Sequence, residues 1–198
     1  SPSLQFTQAL LEEYDDLKLD RDSLMFIAPD EGAMPRVVFM ASMFGVNVGM
    51  FYKRRDYSTI VNGLNPIVAH DFCGESVKGK DVIIVDDMIA SGGSMIDVAR
   101  QLKERGAARV FMFSTFGLFT HGLEKIDRAY EEGLFDRIFT SNLIQRPKEL
   151  LSRAWYCSVD MNLYVAAIID TLNKGDSLEE LIRPAKRIKE VLAKYNAR

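Results

Sequence analysis

The sequence predicts an α/β protein: a mostly parallel β-sheet flanked by helices on both faces. Three observations carry this. Short runs rich in Val, Ile and Phe alternate with segments whose apolar residues fall at helical spacing. Most crossovers between the runs are roughly a dozen residues, the length that a parallel connection needs. Val82–Val85 is branched and apolar at every position, as a strand buried on both faces must be.

Taken in order, the opening "SLQFTQALLEEYDDL" places Leu4, Leu10 and Leu11 at helical spacing, and "SLMFIAPD" follows as a strand that ends at Pro29-Asp30. "EGAMPRVVFMASMFG" reads as a helix closed by Gly45, "VNVGMFYKRR" as a second strand, and "DYSTIVNGLN" as a polar loop. "PIVAHDFCG" is a short strand before the turn at "KGK". Val82–Val85 then leads to the helix "GSMIDVARQLKERGA", which Gly106 stops. "ARVFMFSTFG" and "FDRIFTSN" are further strands, with the helix "HGLEKIDRAYEEG" between them. "MNLYVAAIIDTLNKG" is a strongly apolar helix, and "LIRPAKRIKEVLAKY" a terminal helix with a basic, solvated face. There are no internal repeats and no low-complexity linker.

Over 198 residues, 47% apolar side chains suffice for a real core. A net charge of −3 argues against a protein that coats nucleic acid. Cys73 and Cys157 stand far apart without ligand-like spacing, which argues against a disulfide framework or structural metal and agrees with a reducing cytoplasm. No apolar run approaches the length of a membrane span. The chain opens at Ser1, and "SPSLQF" has no targeting character, so we expect a piece of something longer.

The chemistry concentrates in "VIIVDDMIASGGSM". In open parallel sheets ligands sit at the carboxyl ends of the strands. Here a buried strand ends in Asp86 and Asp87, which repel each other unless something binds them, and Ala90-Ser91-Gly92-Gly93-Ser94 then opens a helix. Free N–H groups and the dipole at a helix start favour an anion, to which Ser91 and Ser94 add hydroxyl donors. Ionised carboxylates only accept hydrogen bonds, so Asp86 and Asp87 suit sugar hydroxyls or a metal. A ligand with a phosphate at one end and a diol nearby satisfies both halves, and ribose 5-phosphate has that shape. The bland alternative is a capped helix after a glycine-rich turn; strand, double acid and loop in this order argue against it. No Lys follows the glycines as a Walker loop requires, and no spaced dinucleotide fingerprint occurs.

This segment closely resembles the phosphoribosyl-diphosphate motif of the type I phosphoribosyltransferases, which ribose-phosphate diphosphokinases share. Three further stretches are similar to the synthetases. In "IAPDEGAMPR", Pro29, Asp30 and Gly32 match their Pro-Asp-x-Gly-Gly loop, with Ala33 in place of the second glycine. The resemblance implies that Asp30 helps to hold Mg2+ and that the Gly32 backbone faces the diphosphate; a plain helix cap is the alternative for Asp30. "FYKRRDYSTIVNG" looks like the segment that opens their catalytic loop, with Lys53 and Arg55 at the positions of the catalytic pair. Those two alternate on an extended chain, so both can point one way. "RVFMFSTFGLFTHGLEKIDRAYEEGLFDRIFTSNLIQRP" matches the stretch after the ribose loop.

The likeness runs roughly from Phe26 to Leu181 and implies one phosphoribosyltransferase-like domain over residues 1–198, the C-terminal half of a synthetase. ATP and ribose 5-phosphate are the implied substrates and Mg2+ the cofactor. Apolar "MNLYVAAII" would serve a homo-oligomer. The chain departs from the family at Ala90, where a third Asp is usual, at Ser91 and Ser94, where Thr is usual, and at Phe116, where a His is frequent. His121 lies off that position and does not inherit its role. Ala90 keeps a nucleobase phosphoribosyltransferase open as an alternative, and Ala33, Ala90 and Phe116 together keep open a non-catalytic subunit that regulates an active synthetase.

Overall fold

The computed structural model describes residues 2–55 and 67–197. Seven strands form one sheet: β1 (Leu24–Ala28), β2 (Asn47–Arg55), β3 (Ile67–Cys73), β4 (Asp81–Ile89), β5 (Val110–Gly117), β6 (Arg137–Ser141) and β7 (Tyr156–Val159), in the order β3-β2-β1-β4-β5-β6-β7. All neighbours are parallel except β2 and β3. The mostly parallel sheet is therefore as expected, with one antiparallel edge strand. The polar loop expected at 56–65 lies outside the described residues, as do the side chains of Lys53 and Arg55.

Consecutive strand residues feed opposite faces. Met25, Ile27, Ile84 and Met112 join one apolar cluster with α3 (Gly93–Glu104) and α4 (Glu124–Glu131). Phe26, Ile83, Phe111 and Phe113 join the other, under α1 (Ser3–Glu13), α2 (Met34–Phe44) and the terminal helix Ala185–Asn196. Both faces are thus covered, which is why β1 and the runs Val82–Val85 and Val110–Phe113 are apolar at every position. No helix among the described residues is long and apolar enough to cross a membrane.

Three elements depart from the sequence reading. The strand that the apolar run confines to Val82–Val85 continues through the double acid to Ile89, because β5 runs on beside it: Asp86 pairs with Ser114, Met88 with Phe116 and Ile89 with Gly117. Asp86 and Asp87 therefore stand on the ladder, not beyond it. Strand β7 and the short helix α5 (Lys148–Leu151) have no counterpart in the sequence reading.

The chain passes outward from β1 to β2 and β3, then returns to lay β4 on β1's other side. The connection after β1 leads to α2 on one face, and that after β4 to α3 on the other. Between them a crevice opens at the strands' carboxyl ends, the switch point where such sheets bind ligands.

Candidate active site

A cavity of about 140 Å3 occupies this crevice, lined by Pro29, Asp30, Asp86, Met88, Ile89, Ala90 and the loop Ser91–Met95. A larger groove of about 430 Å3 lies between α1 and β7 and gathers none of the expected site residues. The crevice brings Asp30, Asp86 and the glycine–serine loop together. Asp87 is beside them at the exposed end of β4.

The two acids differ in environment. The Asp86 side chain is 19% exposed and that of Asp87 is 64%. Asp86 Oδ1 accepts the Asp87 N–H at 2.8 Å. Burial, opposed by that hydrogen bond and reinforced by the charges of Asp87 and Asp30, pushes the Asp86 carboxyl up to about 6. Arg36, the lone cation of α2, spans the pair, with Nη2 3.6 Å from Asp86 and 3.5 Å from Asp87. Both distances exceed those of a charge-assisted hydrogen bond, and the buried Nε has no acceptor among the described residues. Arg36 therefore relieves repulsion across the pair without closing tightly on either acid. Arg36→Met is expected to lower the melting temperature by about 3 °C near pH 8 and by less near pH 5, where Asp86 carries its proton. Thermal melts at the two pH values read this, and equal losses at both would mean that Arg36 acts by packing.

Asp30 caps the 3-10 turn Glu31–Ala33 that precedes α2, its Oδ1 accepting the Ala33 N–H at 3.2 Å. Gly32 belongs to this arrangement, since a Cβ there would stand 3.3 Å from that same oxygen. The cap leaves the second carboxylate oxygen for a ligand. Among the described residues no cluster of three or more His, Cys, Asp or Glu is assembled to enclose a metal. Asp30 and Asp86 instead line one cavity with oxygen donors, which fits a small hard cation that keeps most of its water and substrate ligands.

The loop owes its shape to its neighbours. Gly92 has φ +77°, and a Cβ there would also lie 3.1 Å from Ile126 of α4. Its carbonyl accepts the first helical bond, from Ile96 N–H at 3.0 Å. The N–H groups of Gly93, Ser94 and Met95 thus have no helical acceptor; that of Gly93 leans on Ser91 Oγ at 3.4 Å. The carbonyls of Ile89 and Ala90 accept the N–H groups of Leu118 and Thr120, both at 2.9 Å, which ties the loop's base to the chain after β5. Donors therefore converge above the helix start, while Asp86 and Asp87 accept from the other side.

Lys53 and Arg55 sit on the last residues of β2, past the Met50–Ala28 pair and on the same sheet edge as Asp30. Their backbone is extended as expected, and the register with β3 shifts between Arg54 and Arg55, where the β3 partners pass from Ala69 to Ile67. Phe116 lies opposite Met88, and both are exposed at the crevice rim. His121 is exposed in the loop after β5, its Nδ1 3.2 Å from Thr120 Oγ1. The sequence reading missed Arg36. The available signal was a single cation in an otherwise apolar helix, shortly after Asp30.

The sequence model of the phosphoribosyl transferase domain family matches residues 4–132. The ribose-phosphate pyrophosphokinase of Thermococcus kodakarensis is 34% identical over 129 residues, 65% of this chain and 42% of that protein. Its counterpart in Vibrio parahaemolyticus is 27% identical over 177 residues, 88% of this chain and 52% of that protein. The chain thus spans about half the length of the curated relatives that it matches. Among solved structures, the phosphoribosylpyrophosphate synthetase of Mycobacterium smegmatis superposes with a TM-score of 0.68 at 20% identity, over 88% of this chain and 51% of that one. With the crevice, its loop and the shared fold agreeing, the chain has the fold of phosphoribosylpyrophosphate synthetase and belongs to the phosphoribosyl transferase domain family.

Proposed function

We propose that this chain carries the phosphoribosyl site of a ribose-phosphate diphosphokinase, which moves the diphosphoryl group of ATP to O1 of ribose 5-phosphate and yields 5-phosphoribosyl 1-diphosphate and AMP. The observation that carries the reading is the meeting of Asp30, Asp86 and the Ala90–Ser94 loop on one cavity. The loop's N–H groups and the Ser91 and Ser94 hydroxyls take the 5-phosphate. Asp86 and Asp87 accept hydrogen bonds from the 2- and 3-hydroxyls, which fixes the sugar at both ends and leaves O1 toward the Asp30–Gly32 turn.

O1 then attacks the β-phosphorus; the new O–P bond forms as the bond to the α-phosphate oxygen breaks, AMP departs and the O1 proton passes to water. Mg2+, when bound, supplies charge neutralisation on the ATP phosphates, held by Asp30 with water and substrate oxygens around it. The Gly32 N–H faces the diphosphate. Lys53 and Arg55, at the β2 end on the same sheet edge, neutralise the charge that builds on the transferring group. The same reading makes residues 1–198 one phosphoribosyltransferase-like domain, the C-terminal half of a longer cytoplasmic synthetase. The exposed apolar residues Leu163, Ile169 and Leu172 on the helix Asn162–Lys174 support a homo-oligomer.

The test has two parts. The purified chain is expected to bind ribose 5-phosphate by calorimetry and to turn over slowly or not at all with ATP and Mg2+. In the full-length protein, Lys53→Ala is expected to lower kcat by roughly 10²-fold or more with little change in KM for ribose 5-phosphate. An unchanged kcat would remove Lys53 from the chemistry. Nucleotide formation from 5-phosphoribosyl 1-diphosphate and a nucleobase, without ATP-dependent turnover, would replace the reading with the nucleobase transferase.

A further inference from the structure

The seat for the 5-phosphate has an electrostatic deficit. At neutral pH a phosphate monoester carries close to two negative charges, while the Ala90–Ser94 loop contains no cationic side chain. A helix start offers roughly half a positive charge. Asp86, Asp87 and Asp30, all near the cavity, oppose the anion.

One cation stands where the deficit lies. The point at which a Gly93 Cβ would stand is 3.1 Å from Lys125 Nζ and 3.6 Å from Ser91 Oγ. Lys125 comes from the first turn of α4, an element separate from the loop and from the aspartates' strand. Its side chain is exposed and makes no hydrogen bond or ion pair among the described residues. The helix that carries it is nonetheless fixed from below: the next residue, Ile126, is buried and supports the loop beneath Gly92, and Leu123, two residues earlier, is buried as well. The backbone is anchored and the ammonium is free. Gly93 leaves room for it, since any side chain there would press on the Lys125 headgroup.

We propose that Lys125 is a ligand of the substrate's phosphate, its Nζ donating to a non-bridging oxygen from α4 while the N–H groups and serines of the loop donate from beneath. The inference rests on the reading of Ala90–Ser94 as a phosphate seat. It assigns to the anion a cation that the loop's own sequence lacks. A lysine suits this position as a compact point charge for a phosphate dianion, and Arg preserves that charge with a different reach.

Calorimetry on the purified chain with ribose 5-phosphate, at about 0.05 and 0.3 M salt, compares wild type, Lys125→Met and Lys125→Arg. Lys125→Met is expected to weaken binding roughly 10-fold at the lower salt, to flatten the dependence of affinity on salt, and to leave the melting temperature unchanged. Lys125→Arg is expected to keep most of the affinity and the salt dependence. Inorganic phosphate as the probe should show the same loss in Lys125→Met. If wild type binds ribose 5-phosphate and Lys125→Met binds it equally well with the same salt dependence, the role of Lys125 is overturned and the phosphate seat stands. If wild type binds neither ribose 5-phosphate nor inorganic phosphate, the seat itself is overturned, and Lys125 with it.

Discussion

Asp86→Asn is expected to give a protein that melts higher than wild type at neutral pH and, on the proposed reading of the site, loses its grip on ribose 5-phosphate. The two effects share one cause. In the folded protein the Asp86 carboxyl titrates at about 6, above its ordinary 3.8, chiefly because burial penalises its charge. Between those values the native state holds a proton that the unfolded chain has released, so stability falls as pH climbs from about 4 to about 6 and the loss is complete above that. A displacement of about two pKa units corresponds to at most about 3 kcal/mol. The amide keeps an oxygen for the Asp87 N–H and never ionises. In the absence of ligand and divalent cation, Asp86→Asn should therefore match wild type near pH 4 and melt about 5 °C higher near pH 7.5.

On the proposed reading the same substitution removes a charged acceptor from the sugar hydroxyls, and affinity for ribose 5-phosphate should fall roughly 10²-fold. Melting curves across pH, paired with calorimetry, read both effects. A variant that is less stable at neutral pH, or that binds as wild type does, contradicts the account. A carboxylate held in the folded protein at an energetic cost agrees with the proposed role of Asp86, because strain of this kind collects at functional sites.

How far this site is legible in the sequence depends on whether the signal is local. The run "VIIV" exposes β4 because burial on both faces leaves no polar alternation, and the glycines and serines that follow mark a backbone open to an anion. The end of β4 is not legible, because Asp86 to Ile89 are held in the ladder by β5, a partner that local pattern does not reveal. Strand β7 escapes for a related reason: only Tyr156 and Val159 of its four residues are buried, so it has neither a continuous apolar run nor clean alternation. Parallel pairing with β6 makes it a strand. Arg36 and Lys125 are invisible in the same way, since each acquires meaning only when another element brings carboxylates or a glycine loop beside it. Asp30 shows the converse. The sequence offers a helix cap and a ligand as alternatives, whereas the carboxylate has two oxygens, of which one caps while the cavity remains in reach.

Gly92→Val should do more damage than any other single change in the loop, through two separable causes. At φ +77° a β-branched residue is strained wherever it sits, and here the new Cβ would also press on Ile126 at 3.1 Å. Together these should cost about 3 kcal/mol, or about 6–10 °C in melting temperature. Relaxation of the loop would turn the N–H groups of Gly93 to Met95 away from the proposed phosphate seat, so any binding of ribose 5-phosphate there should disappear as well. Gly133 provides the control for the backbone term alone, because it has φ +70° and nothing within 4 Å of its Cβ position. Gly133→Ala should cost about 1 kcal/mol, and Gly92→Ala about that plus the contact with Ile126. Adding Ile126→Val should recover only part of the contact, since it removes Cδ1 at 3.1 Å but keeps a γ-carbon where Cγ1 stands at 3.2 Å, and a double-mutant cycle isolates that part. If Gly92→Ala costs no more than Gly133→Ala, α4 does not brace the loop, and the anchoring that places Lys125 beside Gly93 loses its physical basis.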